Sequence, residues 1–347
     1  MLDIINYGYD PTLEPIPEGI EVARVAAVYK ERYELICRYG LIYGRLKSSV
    51  YYDKNEEFPT TGDFVWIQYN PSGDSVIIKT LERKSFFSRL DPIPGKGMQA
   101  VAANFDYVFI LTSLNRDFNL KRLERYLALS WQSGGIPVIL LTKSDLIEDP
   151  SEYVKQVEKT AKNVLVHTIS VKTGYGLQDL SEYLKPRKTV VLLGSSGVGK
   201  SSLINALAGS EIMKVNEIRE DDARGRHTTT KRQLIPLSCG AMIIDTPGMR
   251  SVGMQDTEQG LGEAFSDVEE YFGKCRFKDC KHSKEPGCAI KAALQNGELS
   301  LERWNSYLQL KRESEYSEDP FEYLKKKKEK FKTIAKINKE KYKGRIE

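Results

Sequence analysis

The sequence predicts a multidomain protein that consists of a β-barrel, then an α/β domain, then an α-helical region containing cysteines. Short alternating apolar runs separated by turn residues occupy the first 84 positions; apolar strands then alternate with helical stretches, and the strand pattern stops near Gly253. The 347 residues, 40% of them hydrophobic, suffice for two or three domains. We place these domains at residues 1–84, 85–253 and 254–347.

Five short strands are expected in the first domain, at residues 20–29, 33–37, 41–46, 64–69 and 75–80. The last two flank the turn sequence Asn-Pro-Ser-Gly-Asp at 70–74, which favours a hairpin. A small five-stranded barrel is most often an OB-fold, which binds oligonucleotides on one face. A spacer or a protein-docking module fits the same fold, because fold does not determine use.

The second domain shows apolar strands with helices between them. The expected strands are residues 107–112, 137–142, 164–169, 189–193 and 242–244, and the expected helices are 120–131, 151–162, 177–184 and 200–207. Continuous apolar strands separated by helices predict a mostly parallel sheet that is covered on both faces.

A phosphate-binding loop is predicted where the fourth of these strands ends. Residues 194–201 read Gly-Ser-Ser-Gly-Val-Gly-Lys-Ser, the P-loop pattern, between a strand and a helix. Loop N–H groups would face the phosphates, Lys200 would neutralise the β- and γ-phosphates, and Ser201 would hold Mg²⁺. Nucleotide contacts are therefore expected from Gly194, Ser195, Ser196, Gly197, Val198, Gly199, Lys200, Ser201 and Ser202.

Two further segments complete the expected magnesium site. Asp245 ends a hydrophobic strand and precedes Thr-Pro-Gly, so we expect it to reach Mg²⁺ through a water and the Gly248 N–H to contact the γ-phosphate. Residues 225–230 read Gly-Arg-His-Thr-Thr-Thr and close a charged segment, which is typical of a switch ordered by Mg²⁺ and γ-phosphate. Thr229 is the expected second hydroxyl ligand. The same residues also fit a β-prone patch that enters the next strand.

Guanine, rather than adenine, is predicted by two loops that precede the P-loop. Residues 142–145, Thr-Lys-Ser-Asp, resemble the NKxD motif, whose aspartate accepts from guanine N1–H and the 2-amino group, donors that adenine lacks. Thr142 replaces the asparagine of that motif, and its hydroxyl can replace part of the lost link to the P-loop. Residues 170–172, Ser-Val-Lys, resemble the SAK loop. The base contacts are thus assigned to Thr142, Lys143, Ser144, Asp145, Ser170, Val171 and Lys172.

The motif order is the reverse of the usual one, since the guanine loops come before the P-loop. A circular permutation explains this order, because domain termini often lie close together and can be rejoined. We therefore expect a circularly permuted α/β P-loop GTPase domain with GTP or GDP and Mg²⁺ as its ligands. Because the chain after Asp245 runs directly into the cysteine-containing region, we also expect nucleotide state to be transmitted there.

A structural metal site is predicted in the third domain. Cys275, Cys280, His282 and Cys288 form C-x₄-C-x-H-x₅-C, a closed tetrahedral set for one Zn²⁺. Free thiols in a helical core are the alternative, which four lysines among the cysteines disfavour. Cys37 and Cys239 lie in strand-like segments and are expected to be core residues.

Charge is concentrated at the C-terminal end. Residues 321–347 hold eleven Lys and Arg against four Glu, a net +7, so that the overall +4 leaves −3 for residues 1–320. Such a tail can bind a phosphate backbone or can simply be a solvated helix. Without an apolar run of about 20 residues or a signal peptide, we expect a cytoplasmic protein with no membrane contact.

These features together resemble the RsgA family, circularly permuted GTPases of small ribosomal subunit biogenesis. Besides the motif order, residues 99–106 (QAVAANFD) and 285–288 (EPGC) resemble the family pattern, and the resemblance covers nearly the whole chain. It implies an OB-fold, a GTPase domain and a zinc domain. It also implies a protein that binds the 30S subunit and 16S rRNA, hydrolyses GTP slowly alone and faster on the ribosome, and leaves after late maturation. We expect this protein to be a monomer.

The resemblance also implies a catalytic set. Met249 stands where many GTPases carry the glutamine that positions water, and a thioether cannot do this. His227 is similar to the family's candidate for that role, acting with Lys200 and Thr229; a solvent-exposed switch residue is the other interpretation. A competing function is a GTP-regulated RNA-binding assembly factor in which hydrolysis is only a timer. An ATPase or a tRNA-directed GTPase is disfavoured by Asp145 and by the lack of a recognisable modification domain.

Overall fold

A computed structural model of the chain describes residues 1–12, 14–30, 32–47, 58–90, 98–213, 232–245, 258–283 and 285–318. The chain forms two compact units, residues 1–252 and 253–347. The predictions for His227, Thr229, Gly248 and Met249, and for the basic tail, lie outside the described residues.

The first unit begins with the predicted five-stranded barrel, whose strands are β1 (Glu21–Val28), β2 (Tyr33–Cys37), β3 (Gly40–Leu46), β4 (Phe64–Gln68) and β5 (Ser75–Thr80). They hydrogen-bond in the order β1-β2-β3-β5-β4, and β1 also pairs with β4, which closes the barrel. Alternating side chains such as Leu35, Val65 and Ile67 are fully buried inside it, and Cys37 is buried with them, as expected. The predicted barrel is confirmed.

A hairpin that the sequence patterns did not predict follows the barrel. Strand β6 (Phe86–Leu90) pairs antiparallel with β7 (Met98–Ala103) as a separate two-stranded sheet. Between these strands the sequence holds two prolines and two glycines, which predict a loop, and each flanking run is too short to predict a strand by itself.

The described residues of the α/β part form six strands and three α-helices. In chain order they are β8 (Tyr107–Ser113), α1 (Leu120–Gln132), β9 (Ile136–Thr142), α2 (Ser151–Thr160), β10 (Leu165–Thr168), β11 (Thr189–Gly194), α3 (Lys200–Ala208), β12 (Gln233–Pro236) and β13 (Met242–Asp245). The sheet order is β10-β9-β8-β11-β13-β12, parallel except for the β12–β13 pair. The predicted parallel α/β sheet is therefore confirmed.

Two local predictions in this part are wrong. The helix expected at 177–184 is a 3-10 segment, Leu177–Glu182, because it begins directly after Gly176 in the left-handed region (φ 72°) and Pro186 follows soon after. Cys239 is not a core residue but is exposed. It lies in the turn between β12 and β13, where Gly240 with φ 82° supplies the left-handed conformation that the reversal needs.

The barrel and the α/β sheet are hydrogen-bonded to each other within the first unit. Strand β12 pairs with β1 through Ala27 and Gln233, which makes one continuous eleven-stranded sheet. Arg24 of β1 is fully buried and donates to the carbonyls of Gly62 (3.2 Å) and Asn104 (2.9 Å). Burial lowers the pKa of Arg24 to about 10, and the nearby carboxylates of Asp106 and Asp63 oppose that change. A charged guanidinium thus ties the barrel to the chain that leads into β8.

The second unit is helical in its described part, which holds α4 (Glu258–Ala264), α5 (Ser266–Glu269), α6 (Ala289–Asn296) and α7 (Leu301–Glu318). Its core is aromatic: the ring of Tyr307 lies 5.6 Å from each of the rings of Phe265, Phe272 and Trp304. Across the described ranges of the whole chain, no helix has the length and apolarity needed to cross a membrane.

Candidate nucleotide-binding and metal sites

The predicted nucleotide motifs converge because they follow neighbouring parallel strands. Strand β11 lies between β8 and β13, and β9 flanks β8 on the other side. The carboxyl ends of these strands meet at one edge of the sheet, so residues after β9, after β11 and at the end of β13 share that edge. In an open α/β sheet, ligands bind in the crevice at this kind of edge.

The P-loop leaves β11 and curls into the N-terminus of α3. A Cβ on Gly194 would lie 2.8 Å from the Leu111 carbonyl oxygen and 2.9 Å from Val198 Cγ1, so only glycine fits at the start of the loop. Gly199 caps α3 with φ 105°. Lys200 Nζ donates to the carbonyls of Gly194 (2.7 Å) and Ser195 (2.6 Å), which holds the ammonium beside the loop. Backbone N–H groups, a helix N-terminus and an ammonium are the groups that bind phosphates.

Asp245 provides the carboxylate of the site. It is the last residue of β13 and only 5% exposed. Burial raises the pKa of Asp245 to about 6, and the positive charge of Lys200 opposes this rise. A buried carboxylate at the strand end fits a hard divalent cation such as Mg²⁺, which prefers oxygen ligands and would compensate the buried charge. The predicted second ligand Thr229 and the γ-phosphate contact Gly248 lie outside the described residues.

The two predicted guanine loops are hydrogen-bonded to each other and to the P-loop. Ser170 Oγ donates to Asp145 Oδ1 at 2.7 Å, and the Ser144 N–H donates to the Ile169 carbonyl at 3.2 Å. Lys172 Nζ lies 3.9 Å from Asp145 Oδ2. These contacts fix the carboxylate, and an ionised carboxylate is the acceptor that guanine N1–H and the 2-amino group require.

Thr142 carries the link between the guanine loop and the phosphate loop. Its hydroxyl is buried and donates to the Val198 carbonyl at 2.7 Å. The link is thus present although threonine stands where the NKxD motif has asparagine. Lys143 follows in the left-handed region, with φ 59°, which turns the chain away from β9 toward Asp145.

The four predicted zinc ligands also come together. Their ligand atoms all lie within 4.8 Å of one another. His282 Nδ1 is 3.5 Å from the sulfur atoms of both Cys275 and Cys288. With Zn–S near 2.3 Å and Zn–N near 2.0 Å, tetrahedral coordination requires an S···N separation of about 3.5 Å, so the residues fit the ion.

Without a bound metal, the thiols of Cys275 and Cys280 differ in their pKa values. Burial opposes ionisation of Cys275, but the N–H groups of Ala289 and Ile290 and the neighbouring thiols outweigh burial and lower its pKa. Burial and the neighbouring thiols raise the pKa of Cys280 to about 11. Crowded thiols of this kind ionise together only when a cation shares their charge, which is what a structural Zn²⁺ supplies.

Comparison with known proteins identifies the family. The family model of the RsgA GTPase matches residues 80–255. A curated relative from Listeria monocytogenes, small ribosomal subunit biogenesis GTPase RsgA 1, is 48% identical over 84% of this chain and 83% of its own length. The chain belongs to the RsgA GTPase family. It is therefore a GTPase whose guanine motifs precede its P-loop, and the family implies binding of GTP or GDP and Mg²⁺.

Solved structures agree with this RsgA assignment. YjeQ from Thermotoga maritima is 26% identical with a TM-score of 0.62, covering 84% of this chain and 97% of that structure. YloQ, described as a circularly permuted GTPase, is 25% identical with a TM-score of 0.60, covering 84% and 94%. The circularly permuted fold predicted from the motif order is confirmed.

Sequence reasoning missed one contact of the P-loop in this RsgA GTPase. The Ser195 hydroxyl donates to the carboxylate of Asp117, which lies in the loop after β8. No P-loop or guanine motif includes Asp117, and its partner is far along the chain. The only available signal was its position, because Asp117 follows β8, the strand that lies beside β11 in the sheet.

Proposed function

We propose that this GTPase acts in biogenesis of the small ribosomal subunit, binding the 30S subunit and leaving it after GTP hydrolysis. The observation that carries the proposal is the convergence of Asp145, Lys200 and Asp245 at one sheet edge, in a chain 48% identical to a protein named for this process. The RNA target would be 16S rRNA, and the protein would act in the cytoplasm as a monomer. The three domains predicted from the sequence, residues 1–84, 85–253 and 254–347, would be its functional domains.

A basic surface around the Cys/His cluster supports RNA binding by the second unit. Lys274, Arg276, Lys278 and Lys281 are all exposed, and Phe277 between them is 43% exposed with the Arg276 guanidinium 5.6 Å from its ring. Among the described residues, none of these four cations forms an ion pair with a carboxylate. Unpaired cations around an exposed ring suit phosphates and an unstacked base.

The barrel offers a different surface. Three of its exposed cations are ion-paired, because Arg32 and Arg45 share the carboxylate of Asp74 at 2.6 Å and Lys79 pairs with Glu14 at 2.8 Å. Tyr39 stacks on Tyr69 with ring centroids 3.9 Å apart, and Tyr39 is 44% exposed. Aromatic faces bind bases with little dependence on charge. We therefore assign backbone contacts mainly to the basic loop and stacking contacts to the barrel.

The roles of the site residues follow from their chemistry. Asp145 would read the guanine edge, and Lys200 with the loop N–H groups would bind the β- and γ-phosphates. Mg²⁺, when bound, would screen the phosphate charge, held by Ser201, Asp245 and Thr229. His227 would orient or deprotonate the attacking water in the ribosome-bound protein, because Met249 cannot. The Cys/His site would hold a structural Zn²⁺ that fixes the basic loop.

The deciding experiment measures GTP hydrolysis by the full chain with and without purified 30S subunits. We expect slow turnover alone and stimulation of at least about tenfold by 30S, and no comparable stimulation by 50S subunits. Equal rates in the presence and absence of 30S would contradict the proposal and leave a permuted GTPase of another process.

A second measurement addresses the catalytic assignment. His227→Ala should abolish the 30S-dependent increase in turnover while leaving GDP affinity unchanged, because the imidazole is assigned to the water and not to the nucleotide. Full stimulation of the variant would remove His227 from the mechanism. Lys200→Ala, which should lose nucleotide affinity as well, separates loss of binding from loss of chemistry.

A further inference from the structure

The loop between β8 and α1 lies beside the phosphate loop. Strands β8 and β11 are parallel neighbours, with Leu111 in register with Gly194, so the chain leaving β8 passes next to the start of the P-loop. In this loop, residues 114–119, Asp117 is the only acidic residue. None of the nucleotide motifs includes it.

Asp117 is bound from two sides. The Ser195 hydroxyl of the P-loop donates to Asp117 Oδ2, and the Arg122 guanidinium of α1 lies 2.9 Å from the same oxygen. Arg122 also donates to the Asp117 backbone carbonyl. Ser195 itself is buried, at 8% exposed. A charge-assisted hydrogen bond to a buried hydroxyl is among the stronger polar contacts that a loop can make.

The position of Asp117 is fixed by its own loop. Asn115 Oδ1 accepts from the Ser113 hydroxyl and from the Asp117 N–H, both at 2.9 Å. Asn119 Oδ1 accepts from the Arg122 N–H at 3.0 Å and thereby caps α1. The carboxylate and the guanidinium that pairs with it are therefore both anchored to the end of β8. The loop can act as a rigid support for the P-loop.

Charge explains why the arginine accompanies the aspartate. A carboxylate that touches a loop for binding phosphates would repel those phosphates unless a cation compensates it. Arg122 supplies that cation. The backbone carbonyl of Ser195 accepts a hydrogen bond from Lys200 Nζ at 2.6 Å. This bond must break when Lys200 turns to bind the phosphates. The Ser195–Asp117 bond does not involve Lys200 and can persist through that exchange.

We propose that Asp117 is a positioning residue that holds the P-loop in its phosphate-binding shape through Ser195, with Arg122 compensating its charge. Asp117 contacts neither the nucleotide nor Mg²⁺ in this role. The role depends on nucleotide binding by the P-loop and not on the ribosome, so failure of 30S stimulation would leave it standing.

The first test is a double-mutant cycle on the full chain with Mg²⁺ and a fluorescent GDP analogue. Ser195→Ala and Asp117→Ala should each weaken binding by about tenfold, mainly through faster dissociation, and the double variant should be no weaker than either single one. Affinities equal to that of the parent, or losses that add in the double variant, would overturn the proposal. So would a fall in thermal stability that accounts for the whole loss.

The second test addresses the charge. Arg122→Gln should weaken GDP binding by leaving Asp117 uncompensated, and adding Asp117→Asn should restore most of the affinity, because asparagine still accepts from Ser195. The loss should shrink at high salt. Lys121→Gln, which removes an exposed cation from the same helical turn, is the matched control and should bind GDP as the parent does. If Asp117→Asn does not rescue Arg122→Gln, Arg122 does not act through this charge.

Discussion

The nucleotide site and the Cys/His site bring their residues together in opposite ways. Asp145, Lys200 and Asp245 are far apart in sequence and meet because β9, β11 and β13 end at one edge of a hydrogen-bonded sheet. Cys275, Cys280, His282 and Cys288 lie within fourteen residues, and the described part of that segment contains no helix or strand, since α6 begins directly after Cys288.

This difference explains which change each site tolerates. In the nucleotide site, strand order in the sheet places the motifs, so the chain can be cut and rejoined elsewhere and the motifs still meet. The permuted motif order is an example. In the Cys/His site, sequence spacing places the four candidate ligands, and the proposed ion would hold them against mutual repulsion of thiolates. A single substitution in the nucleotide site should weaken nucleotide binding only in part. A single substitution in the Cys/His site should abolish metal binding.

Removing one of the four proposed zinc ligands is expected to have the largest effect. Cys288 is buried at the N-cap position of α6, where its side chain makes no capping bond, so Cys288→Ser removes a metal ligand without removing a helix cap. Bound zinc should fall from about one equivalent per chain to nearly none, and amide protection of residues 265–310 should be lost. Metal analysis with hydrogen exchange measures both. Cys239→Ser, at an exposed turn, is the control and should retain zinc; retained zinc in Cys288→Ser would contradict the closed four-ligand site.

The next largest effect is expected from Asp145→Asn. Ser170 would still donate to Oδ1, so the new amide group would replace Oδ2 and face the guanine donors. GTP affinity should fall by roughly 100-fold, and xanthosine triphosphate, which has an acceptor at position 2, should bind better than GTP. Competition against a fluorescent GDP analogue measures this. Asp179→Asn, an exposed change, should leave the preference for GTP intact, and unchanged GTP affinity in Asp145→Asn would move the guanine contact elsewhere.

The sequence predicts the nucleotide site well because each motif has a strand before it. The apolar runs that end at Thr142, Gly194 and Asp245 are buried on both faces, and continuous hydrophobicity predicts both the strand and the sheet edge. The role of Asp117 was not predictable in the same way, because it depends on Ser195, which is near in space but 78 residues away in the sequence. Cys239 was misplaced because it was assigned to a strand-like segment, although Gly240 beside it is a residue typical of a turn.

The Asp245→Asn variant should distinguish the stability cost of burying the carboxylate from the contribution of that carboxylate to Mg²⁺ binding. Because the folded-state pKa is raised to about 6, the native state binds the proton more tightly than the unfolded chain, so the penalty is absent below pH 3.8 and grows as pH rises through 6. Without nucleotide and Mg²⁺, the variant should be more stable than the parent by up to about 3 kcal/mol at pH 7.5, and the difference should vanish near pH 4.

The same variant should lose the stabilisation that Mg²⁺ and GTP give the parent, because an amide is a weaker ligand for a hard cation than a carboxylate. Chemical denaturation at several pH values, with and without Mg²⁺ and GTP, measures both effects. Equal stability of the two proteins at pH 7.5 in the absence of ligand would show that the Asp245 carboxylate is not destabilised by burial.

The smallest effect is expected from removing the Thr142 hydroxyl, whose hydrogen bond links the guanine loop to the phosphate loop. Thr142→Val keeps the shape of the side chain but leaves the buried Val198 carbonyl without its hydroxyl donor, which should cost about 1 kcal/mol, a roughly fivefold faster loss of GDP. Thr112→Val is the matched control, since the Thr112 hydroxyl is buried with no hydrogen-bond partner among the described residues. The control should bind GDP as tightly as the parent. If the two valine variants behave alike, the sheet alone positions the P-loop and the Thr142 link is dispensable; a difference shows that placement by strand order still needs a direct bond between loops.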